Sequence, residues 1–288
     1  MQTENTALSG VIFTVIAMLA FAANSLLCRQ ALGQGLIDAA TFTSVRVLSG
    51  ALTLALIVLV RQRPKAPSTA NWRSAFMLFT YMALFSFAYI SLNAGTGALI
   101  LFGAVQLTMF IFALRDGEHF TLFSWGGLAL AIGGLIYLVS PGVTAPDPLG
   151  AAFMTIAGVA WGLYSLMGRG VADPLEATAR NFAYSVPLVL IVSLFFMNDF
   201  SSTLTGLLLG VASGAIASGC GYVIWYAALP SLTATRAATV QLSVPAIASF
   251  GGVILLSEDL TLRLLVASAA TLGGVAIVLA QRAAKNAR

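Results

Sequence analysis

Long apolar stretches separated by short polar segments run the whole length of this chain, and most of them match a membrane-crossing helix in length. The pattern predicts ten helices, over residues 8–28, 39–60, 74–92, 97–114, 121–140, 148–168, 177–197, 203–226, 233–256 and 262–281. The charge-free stretch 74–114 would reach roughly 60 Å as a single helix, about twice the hydrocarbon thickness. A break is required, and Asn93-Ala94-Gly95-Thr96-Gly97 supplies turn-forming residues for it. Three prolines between Pro141 and Pro148 stop one helix and precede the next, which places a short connection between two halves.

The halves read as copies. Glu118-His119-Phe120-Thr121-Leu122 returns 140 positions later as Glu258-Asp259-Leu260-Thr261-Leu262. The same offset relates Gly133-Gly134 to Gly273-Gly274, and carries Phe21, Ser25, Leu26 and Arg29 onto Trp161, Ser165, Leu166 and Arg169. The chain divides into a first five-helix repeat over 1–140, a connecting loop over 141–148 and a second repeat over 149–288. Five spans is an odd number, so the second copy enters the membrane inverted. Inverted repeats are a transporter signature, because exchanging conformations between antiparallel halves opens a central site first to one side and then to the other.

Composition agrees. With 59% apolar and 8% charged residues and a mean hydropathy of +0.95, the chain has too little polar surface to coat a soluble globule. The expected fold is an all-α integral membrane protein of ten transmembrane helices arranged as two inverted five-helix repeats. The net charge of +4 speaks to orientation and not to nucleic acid, since the basic residues lie in short loops and at the C-terminus. Arg61, Arg63, Lys65, Arg73, Arg115, Arg169, Arg180, Arg236, Arg282, Lys285 and Arg288 fall on the side of the N-terminus, and only Arg29 and Arg263 on the other. The excess predicts that both termini are cytoplasmic. Cys28 and Cys220 have neither metal-site nor disulfide spacing and read as buried thiols. The run from Leu8 to Cys28 has only Glu4 before it and no basic leader, so a retained first helix is expected.

The span count, the five-plus-five repeat and the junctions Gly117-Glu118-x-x-Thr121 and Glu258-x-x-Thr261 resemble the drug/metabolite transporter superfamily, specifically its EamA-type exporters. Within that family the chain looks most like bacterial aromatic amino-acid exporters of the YddG type. The resemblance implies a multi-pass protein of the bacterial inner membrane, with a central cavity between the halves and export of amino acids or related metabolites. Ser257 stands where the first copy has Gly117, a position that shapes a turn.

Intramembrane polar residues are costly and therefore informative. Asn24 and Tyr164 occupy equivalent repeat positions, while Gln106 and Gln241 sit in matching Val-Gln-Leu triplets. These four are candidates for recognising the ammonium and carboxylate of a zwitterion, since an amide both donates and accepts; interhelical hydrogen bonding is the alternative. Tyr81, Phe85 and Tyr89 form one stripe at i, i+4 and i+8. Tyr81 and Phe85, with Trp161, are candidates to bracket an aromatic or large apolar side chain. Tyr222, Trp225 and Tyr226 line a cavity mouth or sit in an interfacial belt, the belt being the favoured reading. Gly206, Gly210 and Gly214 at four-residue spacing mark close helix packing, and Pro187 and Pro245 predict kinks. Arg46, well inside a span, either snorkels, pairs with a helix C-terminus or meets a substrate carboxylate.

Glu118 and Glu258 read as helix-start residues that complement the dipole, and His119 lies beside one of them. That leaves no buried acidic proton site and predicts facilitative export. No nucleophile, base or metal set suggests an enzyme, and no cofactor or metal is expected. The expected partners are a small amino-acid-like solute and the lipid bilayer, with no nucleic acid, and the protein is expected to be a monomer. Export of another metabolite or drug, a phosphorylated-sugar antiporter and a non-transporting scaffold are the alternatives. The antiporter calls for several intramembrane cations where this chain has Arg46 nearly alone.

Overall fold

The computed structural model describes residues 2–61, 71–168, 171–232 and 234–286. Arg63, Lys65, Arg169 and Arg288 lie outside the described residues. The described chain is helical, apart from one isolated antiparallel bridge between Ile37 and Ser202. In order, the helices are α1 (Gln2–Gly33), α2 (Ala39–Val60), α3 (Trp72–Ala88), α4 (Ala94–Arg115), α5 (Leu122–Val139), α6 (Pro148–Met167) and α7 (Pro174–Phe195). Next come α8 (Leu204–Ser231), α9 (Ala234–Gln241 and Ser243–Leu256, interrupted at Leu242) and α10 (Leu262–Asn286). Among the described residues, nine are long and apolar enough to cross a membrane. The tenth, α3, has 17 residues, about 26 Å of helix, and is extended by the turn after it.

Short polar side chains set the helix starts. Asp38, Asn71, Thr121, Asp147, Asp173, Thr203 and Thr261 each accept a hydrogen bond from an amide in the first turn of α2, α3, α5, α6, α7, α8 and α10 respectively. Pro148 and Pro174 follow two of these caps, where a missing N–H costs nothing. Thr121 and Thr261 cap α5 and α10, and Glu258 caps the start of α4 and not of the helix that follows it. The turn reading of Gly117 and Ser257 agrees with their left-handed backbones, φ +81° and 54°.

Two helices depart from regularity. The middle of α8, Ala212–Cys220, is a π-helix. In α9, Pro245 cannot donate to the carbonyl four residues back, and the helix breaks at Leu242. Gly214 lies so close to α2 that a Cβ would strike the Arg46 carbonyl and Ser49 Oγ. Gly206 and Gly210 meet Leu36 and Val45 in the same way, so the glycine stripe is a packing seam.

The principal contacts pair α1 with α8, α5 with α10, α2 with α8, α3 with α6, α2 with α7, α4 with α6, α1 with α9, α3 with α7 and α4 with α9. Exchanging each helix for the one five places away leaves this set unchanged. At the α5–α10 contact, Thr271 Oγ1 donates to the Ala131 carbonyl at 3.4 Å, and these two residues are themselves 140 apart. Successive helices cross in opposite directions and define two faces. Arg61–Asp173 and Ser74–Met167 contacts join the face where α2 and α6 end, here called the near face. Ile37–Ser202, Ser91–Asp147 and Arg29–Glu258 contacts join the far face.

Candidate functional site

Two adjoining spaces meet at Trp161 and Tyr222. The larger, about 370 Å³, is enclosed by α3, α6, α7 and α8 and reaches the near face, where Met167 and Gly168 at its mouth are exposed. It is lined by Tyr164, Thr178, Asn181, Trp225 and Tyr226, among others. The smaller, with room for about one water, lies deeper and is lined by Phe21, Asn24, Ser25, Tyr81, Phe85, Leu101, Phe102, Trp161, Ala217, Tyr222 and Gln241. Trp161 and Tyr222 line both. Their rings stack with centroids 5.4 Å apart and planes 18° apart, forming a partition between vestibule and chamber.

Aromatic rings make most of the chamber wall. Tyr81 lies 4.8 Å from Trp161 and 5.4 Å from Phe85, and Phe21 packs against Tyr222 at 6.0 Å. Such contacts are worth roughly 0.5–1.5 kcal/mol each beyond burial, enough to hold the wall together while letting single rings rotate. Tyr89, the third member of the α3 stripe, is fully buried behind Phe85 and donates to the Ala94 carbonyl at 3.2 Å, which fastens the turn between α3 and α4.

Polar groups enter the wall at defined points. Ser213, carried by the π-helical turn of α8, donates to Asn24 Oδ1 at 2.7 Å. With that hydroxyl proton committed, the Cys28 thiol donates to Ser213 Oγ at 3.8 Å. Asn24 thus keeps its Nδ2–H groups for the chamber it lines. Gln241 Nε2 donates to the Ala237 carbonyl at 3.2 Å, so its Oε1 is the end left for the chamber. In the vestibule, Thr178 lies 2.6 Å from Tyr226 Oη and 3.2 Å from Tyr164 Oη. Asn181 Nδ2 donates to Tyr164 Oη at 3.5 Å, and its Oδ1 is buried without a partner.

The structure therefore brings Asn24, Tyr81, Phe85, Trp161 and Gln241 together, and sets Tyr164 across the partition in the vestibule. Gln106 is elsewhere: it lines a separate crevice with residues of α5 and α10 such as Leu128, Ala131 and Val275. Tyr222, Trp225 and Tyr226 line the two spaces, which favours the cavity reading of these residues over the interfacial belt. Tyr222 and Trp225 are buried. Arg46 neither snorkels nor meets a helix end. It is fully buried, donates from Nη2 to Tyr81 Oη at 3.1 Å, and lies against the rings of Phe85 and Tyr81 at 4.9 and 5.4 Å.

On the far face a charged pair ties three turns together, with Arg29 one helical turn beyond Ser25 of the chamber wall. Arg29 at the end of α1 meets Glu258 Oε1 at 2.9 Å and donates to the Tyr89 and Ile90 carbonyls and to Asn93 Oδ1. Glu258 Oε2 accepts from the Ala94 amide at 2.9 Å, capping α4 from the α9–α10 turn. That cap explains why α4 begins at Ala94 and not at Gly97. Sequence reasoning found both residues through the repeat, but not their meeting.

On the near face Arg61 reaches Asp173 at 2.9 Å. Burial pushes the Asp173 carboxyl up, but hydrogen bonds from the Glu176 and Leu175 amides and the Arg61 guanidinium outweigh it and hold the acid below its usual range.

A sequence model described as the EamA-like transporter family matches twice, over residues 8–140 and 148–280. An uncharacterized protein of Pseudomonas aeruginosa is 49% identical, covering 96% of this chain and 97% of its own length. An uncharacterized transporter of Archaeoglobus fulgidus is 25% identical over 72% of this chain and 75% of its own, and the uncharacterized transporter YoaV of Bacillus subtilis 19% identical over 78% and 81%. A crystal structure of 18% identity superposes with a TM-score of 0.67, covering 92% of this chain and 97% of that one, which shows a shared fold.

Proposed function

The chain belongs to the EamA-like transporter family, and we propose that within it this protein exports aromatic or large apolar amino acids and related small metabolites by alternating access. The observation that carries the reading is the chamber itself, an aromatic box with one amide at its α1 wall and another at its α9 wall. Asn24 offers amide hydrogens to a carboxylate and Gln241 Oε1 accepts from an ammonium; the chamber as described holds only about one water, so a solute enters by parting the Trp161–Tyr222 stack and extends its side chain between Tyr81, Phe85, Trp161 and Tyr222 toward the vestibule. A planar ring on such a wall gains contact on both faces. A charged side chain there would lose its water without a partner.

On this reading the vestibule is the loading side. The positive-inside rule makes the near face cytoplasmic and the far face external, in a bacterial inner membrane with both termini inside. The described conformation then faces inward: the chamber adjoins the vestibule on the cytoplasmic side, and the Arg29–Glu258 pair ties the external side. The chain divides at the 141–148 connection into two inverted repeats, and a monomer contains both. The spans bring no carboxylate to the chamber wall, which supports facilitative movement without a proton site.

Binding tests the reading directly. The purified full chain should be stabilised against heat by tryptophan, phenylalanine and leucine, and not by lysine or glutamate. Equal stabilisation by all five, or by none, would contradict the assignment.

A further inference from the structure

Arg46 lies two turns below the far-face start of α2, about 10 Å into the helix, with none of its surface exposed. Its Nη2 has Tyr81 Oη as a partner, but Nε and Nη1 are buried with none. Ion pairs among the described residues join Arg29 to Glu258, Arg61 to Asp173 and Arg180 to Glu176, and none reaches Arg46. The cation is held only by one phenol and by the faces of Phe85 and Tyr81. Cation–π contacts return roughly 0.5–2 kcal/mol each. An arginine at membrane depth costs at least about 2.5 kcal/mol, and an unpaired buried charge usually costs more.

The two rings that cover Arg46 also line the chamber. A single layer of aromatic side chain thus separates an unpaired guanidinium from the space that holds the substrate. Asn24, on the α1 wall of the same chamber, adds amide hydrogens. The unmet groups at this end of the chamber are all donors, and one of them is charged. A planar guanidinium with two free N–H groups matches a carboxylate in both charge and shape.

We propose that Arg46 is the anion-recognition residue of the chamber, so that its substrates are apolar or aromatic solutes bearing a carboxylate, with or without an ammonium group. This rests on the reading of the chamber as a solute site and narrows it. In the empty protein Phe85 and Tyr81 shield the cation. When a carboxylate arrives, a rotation of the Phe85 ring exposes Nε and Nη1, and the ion pair replaces the π contact. Aromatic carboxylates lacking the ammonium are therefore substrates too, and the matching amines and alcohols are not.

The test uses four probes of one shape: 3-phenylpropionate, phenylalanine, phenethylamine and 3-phenylpropanol. Binding to the full-length protein is measured by calorimetry at neutral pH. The two carboxylates are expected to bind, and the amine and alcohol to bind at least tenfold more weakly. Arg46→Met should weaken both carboxylates by about tenfold or more, the loss of a charge-assisted pair, while Arg46→Lys recovers part of the affinity. Removing an unpaired buried cation should leave the empty protein as stable or more so, so Arg46→Met is expected to fold. The amine or alcohol binding as well as the carboxylates would overturn the assignment of Arg46 while leaving a solute-binding chamber. Unchanged carboxylate affinity in Arg46→Met would do the same. Failure of all four to bind would remove the chamber reading itself. The four-probe comparison on the unaltered protein decides between these outcomes whatever the variants do.

Discussion

Arg29 and Glu258, 229 residues apart in sequence, meet at 2.9 Å on the far face, and the same carboxylate caps α4 through the Ala94 amide. One side chain thus ties α1, the α3–α4 turn and the α9–α10 turn together. An alternating-access protein must break that tie to open outward.

Glu258→Gln keeps the shape and removes the charge. It should raise the labelling rate of a cysteine placed at Asn93 by an impermeant thiol reagent, because the far face opens more often. Glu258→Ala should in addition lower stability by about 1–3 kcal/mol, since the Ala94 amide loses its cap. Thermal unfolding separates the two effects.

Trp161 carries the partition between vestibule and chamber through its stack on Tyr222. Trp161→Ala should cut transport by at least about tenfold while the protein still inserts, which flux and membrane yield measured together will show. Normal flux would remove Trp161 from the path.

Gln241 and Gln106 make a paired contrast. Gln241→Leu should weaken substrate affinity by about fivefold to tenfold, the loss of one hydrogen bond. Gln106→Leu should leave affinity unchanged, because Gln106 faces the α5–α10 crevice.

The near-face pair responds to acid. The Asp173 carboxyl is held below its usual range in the folded protein, so its stabilisation is complete above the unfolded value, near pH 4, and is lost as pH falls through the folded one. Stability should therefore drop between about pH 4 and lower values, and Asp173→Asn should flatten that part of the profile. Denaturation midpoints across pH 3–6 check the sign.

Much of this site was legible before any coordinates. Polar side chains are rare in apolar spans, which singled out Asn24 and Gln241, and a stripe at helical spacing singled out Tyr81 and Phe85, which with Trp161 are all chamber residues. Gln106 misled because its Val-Gln-Leu triplet matches that of Gln241 at a spacing of 135 residues and not 140. Five residues are nearly one and a half helical turns, which points the side chain at another face. Tyr222, Trp225 and Tyr226 suit a belt by residue type alone, since aromatic rings with a polar edge favour the membrane interface. The π-helical turn at Ala212–Cys220 changes their phase, and a stretch of small residues carries no periodicity that announces it. The Arg29–Glu258 meeting depends on how three turns converge, and pattern along the chain does not encode that.

Counterflow of radiolabelled amino acids in proteoliposomes tests the central claim most directly, with and without a pH gradient across the membrane. The account predicts that tryptophan and phenylalanine accumulate against unlabelled partners, that lysine and glutamate do not, and that the gradient changes nothing. Absence of counterflow for every aromatic amino acid, or accumulation only when the gradient is imposed, would contradict it.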